Sequence, residues 1–326
     1  MSSGLKVPLH FALLWTAILQ GQGRYIENND MNDNPLGLLN SEMKRSLSQG
    51  YVYSRSLNCV DMLSVDGQFS FRADRPQLNC ATFFIGNPDE VISLEYNNVN
   101  IDCQGGDFLK VFDGWIMKGE MFPSIMDHTL PMSERYVDFC SGSNFKTTIR
   151  SSQNAAMILF RVHRPGNGFS FTIQKLINPF PCNVISQTPD GRFTMVIPHQ
   201  KRNCSFSIIY PTVVKILEMT LGDFNDLQTP VRSCGGITDF VQLLGGNTLD
   251  TSRMYPVAEI CYSFSGSVQM KVGCDHTVVR IVSSGQHTNR LTFEYKQLGQ
   301  QDLEKQSENG VEDFCSPAAV QTSPTL

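Results

Sequence analysis

The chain has 326 residues, enough for about two ordinary domains, and its 26 Lys+Arg against 31 Asp+Glu give a net charge of −5. That balance lacks the basic excess of a nucleic-acid binder. Ten cysteines point to a disulfide framework in an oxidising compartment rather than to scattered cytosolic thiols.

At the N-terminus, Lys6 precedes a short apolar run from Leu9 to Leu19 that closes in Gln20-Gly21-Gln22-Gly23. This reads as a cleaved secretory signal over residues 1–23, because a membrane span needs about 20 apolar residues. No later segment qualifies as a span, so the mature chain is expected to be secreted. Residues 24–50, rich in Asn and Asp, are expected to form a mobile arm.

From Tyr51 onward, short apolar or alternating runs are divided by turn signals such as Asp66-Gly67, Gly86-Asn87-Pro88, Asp113-Gly114, Pro165-Gly166-Asn167-Gly168 and Pro189-Asp190-Gly191. Such punctuation predicts an all-β sandwich or barrel. Phe69-Ser70-Phe71, Leu109-Lys110-Val111, Phe169 to Ile173 and Leu291 to Tyr295 alternate at period two, which turns one face of each inward. Ala155 to Val162 is apolar on both faces and predicts a central strand, with a helix as the competing reading. Asn178-Pro179-Phe180-Pro181 is a short stiff linker, and the tail over 299–326 has the polar composition of disorder, interrupted by Cys315.

The cysteine framework occurs twice. Cys59, Asp66-Gly67, Asn79-Cys80, Cys103 and Cys140 reappear in the same order as Cys182, Asp190-Gly191, Asn203-Cys204, Cys234 and Cys261, and DGQFSF (Asp66 to Phe71) parallels DGRFTM (Asp190 to Met195). This is a duplicated domain, with a first repeat over 51–178 and a second over 179–298. Four cysteines per repeat leave three connectivities within each. Cys274 and Cys315 have no counterpart in the first repeat. Asn203-Cys204-Ser205 is the chain's one N-x-[ST] sequon, so in a secreted protein Asn203 is expected to carry a glycan.

Nothing in the sequence assembles catalysis. No H-E-x-x-H, G-x-S-x-G, Walker-A or G-x-G-x-x-G pattern occurs, no C-x-x-C pair suggests a redox couple or zinc knuckle, and the histidines are scattered. The chain is therefore read as a non-enzyme without cofactor. Asp107 and Asp113, in GDFLKVFDG, share one strand face with Leu109 and Val111. They read as a strand start and a turn rather than as an acid/base or metal pair.

That segment, with Phe139-Cys140-Ser141-Gly142, AAMILFRV and GNGFSFTI (Gly166 to Ile173), resembles a CUB domain; TDFVQLLGG (Thr238 to Gly246), Ile260-Cys261, TVVRIVSS and NRLTFEYK resemble a degenerate second copy. The resemblance implies two tandem CUB-like jelly-roll β-sandwiches, stapled by disulfides, that bind proteins outside the cell. Many CUB domains hold calcium through an upstream Glu, the strand Asp and a second Asp. Here Asn97-Asn98-Val99 stands at the Glu, and His163 at the second Asp. Asp107 alone cannot supply the six to eight oxygens calcium takes, so no metal is expected.

Over nearly the whole chain after the signal, CVDMLS (Cys59 to Ser64), FRADRPQLNCATFF (Phe71 to Phe84), IDCQGGDFLKVFDGW (Ile101 to Trp115), FPCNVISQTPDGRFT (Phe180 to Thr194) and QMKVGCDHTVVRIVSSG (Gln269 to Gly285) are similar to the corticotropin-releasing factor-binding protein family. That likeness implies a secreted glycoprotein that sequesters corticotropin-releasing factor and urocortin-type peptides and limits receptor activation. It also implies sequential pairing, Cys59 with Cys80, Cys103 with Cys140, Cys182 with Cys204 and Cys234 with Cys261, leaving Cys274 to pair with Cys315 and tether the tail. It associates the positions of Arg55 and Asp61 with ligand contact. The sequence leaves ligand-linked dimerisation open. The alternative function is an extracellular CUB adaptor or protease enhancer that docks folded partners.

Overall fold

The computed structural model describes residues 52–76, 79–117, 119–141, 148–222, 234, 238–261 and 264–299. The expected signal, the arm and the tail with Cys315 lie outside the described residues. Apart from 3-10 turns, every described element is a strand.

The first repeat contributes β1 (Ser54–Ser56), β2 (Val60–Leu63), β3 (Gly67–Arg72), β4 (Cys80–Ile85), β5 (Glu90–Asn100), β6 (Phe108–Asp113), β7 (Trp115–Met117), β8 (Glu120–Phe122), β9 (Tyr136–Asp138), β10 (Thr148–Arg150), β11 (Ala155–Arg161) and β12 (Gly168–Ile177). Its two sheets run β1-β3-β12-β5-β10 and β2-β4-β11-β6-β9, and β7 pairs with β8 in a separate hairpin. The second repeat contributes β13 (Val184–Ser186), β14 (Asp190–Pro198), β15 (Lys201–Ile208), β16 (Thr212–Thr220), β17 (Phe240–Gly246), β18 (Tyr255–Ile260), β19 (Phe264–Val272), β20 (His276–Ser284) and β21 (Thr288–Gln297). Its sheets run β13-β15-β20-β17-β18 and β14-β21-β16-β19.

The two sandwiches are therefore the same fold drawn twice. β2-β4-β11-β6-β9 corresponds strand for strand to β13-β15-β20-β17-β18, and β3-β12-β5-β10 to β14-β21-β16-β19. Strand β1 has no counterpart in the second repeat. It is an addition, held parallel to β3 with Arg55 opposite Phe69.

The alternating sequence of β3 buries Phe69 and Phe71 and exposes Gln68, Ser70 and Arg72. On the antiparallel neighbour, Phe171 lies opposite Phe69 and Phe169 opposite Phe71. These rings, with Phe84 and Phe160, fill the first core; each contributes about 1.5–3 kcal/mol of burial. A separate core led by Phe206, Phe293, Met195 and Ile216 fills the second sandwich.

Strand β11 explains itself once both its faces are followed. Ala156, Ile158 and Phe160 point into the first core, while Ala155 and Met157 join Phe83, Ile85, Trp115, Phe122 and, from the second repeat, Ile185 in a further apolar cluster. The run is apolar on both sides because one side packs within its own sandwich and the other against the next. At the end of β6, Gly114 turns the chain at φ 93°, where a Cβ would lie 2.0 Å from the Phe122 carbonyl oxygen; only glycine fits.

Polar groups ring that inter-sandwich cluster. The Asp127 carboxylate, fully buried, accepts from Arg280 Nε at 2.7 Å and from the Thr251 hydroxyl at 2.6 Å. Asn154 takes both backbone groups of Ile185, accepting from its N–H at 2.9 Å and donating to its carbonyl at 2.8 Å. Disulfides join Cys59 to Cys80, Cys103 to Cys140, Cys182 to Cys204 and Cys234 to Cys261. Cys274 is also disulfide-bonded.

Candidate functional site

The edge strands β1 and β2 lie on opposite sheets of the first sandwich, joined by the short connection Leu57 to Cys59 and fixed by the Cys59–Cys80 bridge. Arg55 on β1 and Asp61 on β2 meet across that edge, with Nη2 at 2.5 Å from Oδ2. Asp61 has other partners: the N–H groups of Asn58, at 3.1 Å, and of Met62, at 3.0 Å, both donate to it. It thus caps the turn that leads into β2. The Arg55 side chain is more exposed, although its Nε is buried and has no hydrogen-bond partner.

Two apolar side chains flank Asp61 on the same strand. Val60 is 71% exposed and Met62 55%. Alternation puts both on the outward face while Leu63 is buried behind them. The equivalent edge of the second repeat, β13, is buried at all three positions; there Ile185 enters the inter-sandwich cluster. One edge of this fold is filled by the sister repeat, and its twin in the first repeat leaves Val60 and Met62 largely exposed, with Gln187 of the second repeat reaching the Met62 sulfur at 4.0 Å.

The calcium position of CUB domains is occupied by this chain's own donors. Oδ1 of the buried Asp107 accepts from the His163 N–H at 2.9 Å and lies 2.8 Å from His163 Nδ1, while Oδ2 accepts from the Asp102 N–H at 2.9 Å. Arg164 pairs with Asp102 at 2.9 Å. Burial alone would raise the Asp107 pKa, but the N–H donors of Asp102 and His163 outweigh it and hold the carboxyl below the usual range. The second repeat repeats the device without charge. Asp239 accepts from the Ser284 N–H at 2.9 Å, its hydroxyl at 2.7 Å and Asn289 Nδ2 at 2.6 Å, and is likewise held low against burial. Among the described residues no group of three His, Cys, Asp or Glu could hold a metal ion. The donor set does not fit calcium.

Asp113, His128 and Ser152 gather in the first repeat, but not as a catalytic triad. Leu130 N–H donates to His128 Nδ1 at 2.9 Å, so the neutral ring donates through Nε2 to Asp113 at 3.0 Å. The Ser152 hydroxyl approaches that same Nε2 at 3.4 Å. A triad needs the acid on one ring nitrogen and the nucleophile on the other. Asp113 instead ties the turn to Ser152 N–H at 2.7 Å and Gln153 Nε2 at 2.8 Å.

Asn203, the sequon residue, stands at the start of β15 on the outer sheet face and donates to the Met126 carbonyl at 2.9 Å across the two repeats. From the sequence, Arg55 and Asp61 are named together for ligand contact and Asn203 for a glycan. Sequence reasoning missed Val60 and Met62, whose signal was present: two apolar residues alternating with Asp61 on a strand whose inward partner is Leu63.

Fold and bridges define a class: a tandem CUB-like β-sandwich protein, stapled by disulfides. Residues 51–177 match the family described as corticotropin-releasing factor binding protein N-terminal domain, and residues 184–304 its C-terminal domain. The corticotropin-releasing factor-binding protein of Xenopus laevis is 60% identical over 309 residues, covering 94% of this chain and 96% of its own; that of Homo sapiens is 58% identical over 318 residues, covering 97% and 99%. Among solved structures, the CUB1-EGF-CUB2 domain of human MASP-1/3 aligns with 72% of this chain and 99% of its own at 12% identity, with a TM-score of 0.25. The chain belongs to the corticotropin-releasing factor-binding protein family.

Proposed function

We propose that this chain is a secreted, non-catalytic trap that sequesters corticotropin-releasing factor and urocortin-type peptides and so limits receptor activation, its signal at 1–23 followed by an arm (24–50), repeats over 51–178 and 179–298 and a Cys315-tethered tail. Peptides of this type are long, amphipathic and helix-prone, and a partner for one needs an apolar strip with a few charges to set register. The observation that carries the reading is the contrast between equivalent edges: β13 is buried against the sister repeat, whereas β2 leaves Val60 and Met62 exposed. Family membership and the relatives' names supply the ligand class.

Arg55 is suited to exchange. Asp61 keeps its bonds from Asn58 and Met62 if the guanidinium turns to a ligand carboxylate, and the Nη2 released from Asp61 donates to it in a charge-assisted hydrogen bond. The existing pair is partly exposed, so breaking it costs under about 1 kcal/mol. Arg55→Ala and Asp61→Ala each weaken peptide binding at least tenfold, about 1.4 kcal/mol, in calorimetric titration, and by different factors for the two hormone types. If both variants bind every peptide like the parent, the site lies elsewhere. An adaptor surface organised by calcium is disfavoured by the occupation of Asp107 by His163.

A further inference from the structure

The outer face of the β15-β20-β17 sheet carries a row in which Asn203 lies opposite Val282 and Val282 opposite Phe240. At about 4.8 Å between neighbouring strands, the row runs about 10 Å from Asn203 to Phe240. Val282 and Phe240 are half-buried, although their sheet packs its other face into the second core. Above the row stands the segment Met126 to Thr129 from the first repeat, and together they line a groove closed at one end by Lys201 and Ser284. Met126 is 56% exposed there. A groove with an aromatic ring and an aliphatic side chain on its floor suits the apolar faces of sugar rings.

We propose that the glycan on Asn203 lies in this groove, its first sugars over Val282 and Phe240 and against Met126, so that the modification packs the two sandwiches together instead of projecting into solvent. The proposal rests on the reading of the sequon as occupied. The amide supports it: one N–H of Asn203 Nδ2 already donates to the Met126 carbonyl across the repeats, which leaves the other position for the sugar, and Asn203 and Met126 both line the groove. Lys201 supplies a hydrogen-bond donor at the closed end. A packed glycan also fills the groove, which turns peptide ligands toward the β2 edge.

The full chain, expressed in a secretory host, tests this by two measurements. Mass spectrometry of the Asn203 peptide reports occupancy; an unmodified Asn203 removes the reading of the sequon and the proposal with it. On occupied protein, release by peptide-N-glycosidase is expected to be at least tenfold slower on the native than on the denatured chain, and Phe240→Ala, on the outer sheet face, is expected to bring the native rate toward the denatured one. Hydrogen exchange over residues 124–130 is expected to quicken in Asn203→Gln. Occupied protein that is cut equally fast in both states, with exchange over 124–130 unchanged, overturns the proposal while leaving the sequon reading intact.

Discussion

Asp107 and Asp239 repeat one device at equivalent positions of the two sandwiches. Each sits at the start of an equivalent strand, buried, and each accepts a backbone N–H from the residue two after the one paired with that strand's first residue, His163 after Arg161 in one repeat and Ser284 after Val282 in the other. Asp107→Ala leaves the Asp102 and His163 N–H groups without an acceptor and is expected to cost about 1–3 kcal/mol at pH 7, read by thermal or denaturant unfolding. Both carboxyls are held below their ordinary value of 3.8 in the folded state. Their stabilisation is therefore complete above that value and is lost as pH falls through the lower folded value; the deficit of Asp107→Ala should shrink below about pH 4. A deficit that stays constant on acidification would count against the charged-acceptor role. Since the chain's own donors fill this position, EDTA should change neither Tm nor peptide affinity, and a calcium-dependent rise in Tm of several degrees would contradict that.

At the scale of elements, the duplication was legible because cysteines and Asp-Gly turns are rigid markers whose order survives drift. The period-two strands were legible for the same physical reason that they form: Phe69 and Phe71 face the core while Ser70 faces water. AAMILFR was legible as a central strand, yet what covered its second face was not, since nothing local distinguishes Met157 packed on Trp115 from Met157 in a wider core. Strand β1 escaped entirely. Ser54-Arg55-Ser56 has no apolar pattern, and it is a strand only because β3 offers it an edge. The candidate site depends on that tertiary event, which brings Arg55 to Asp61. Because Val60 and Met62 on the edge strand β2 are more than half exposed, Val60→Asp with Met62→Asp should change Tm little and weaken peptide binding at least tenfold. Tight binding by the double variant would remove β2 from the site.

At the scale of the molecule, the two repeats are joined by an apolar cluster with a buried ion pair at its rim, and the linker does little of the work. Removing one member of a buried pair strands the other charge and costs about 3–5 kcal/mol. Asp127→Ala, which orphans Arg280, is therefore expected to loosen the contact first, seen as faster proteolysis within residues 178–181 before either core unfolds. Unchanged cleavage at the linker would show that the apolar cluster suffices alone. In the function proposed above, the exposed edge of the first sandwich makes this chain a metal-independent peptide trap. Calorimetric titration of the full secreted chain with corticotropin-releasing factor, with Arg55→Ala alongside, tests it most directly. Saturable binding to the parent, weakened at least tenfold in the variant, is the predicted result; no saturable binding, or equal affinity for both chains, would contradict it.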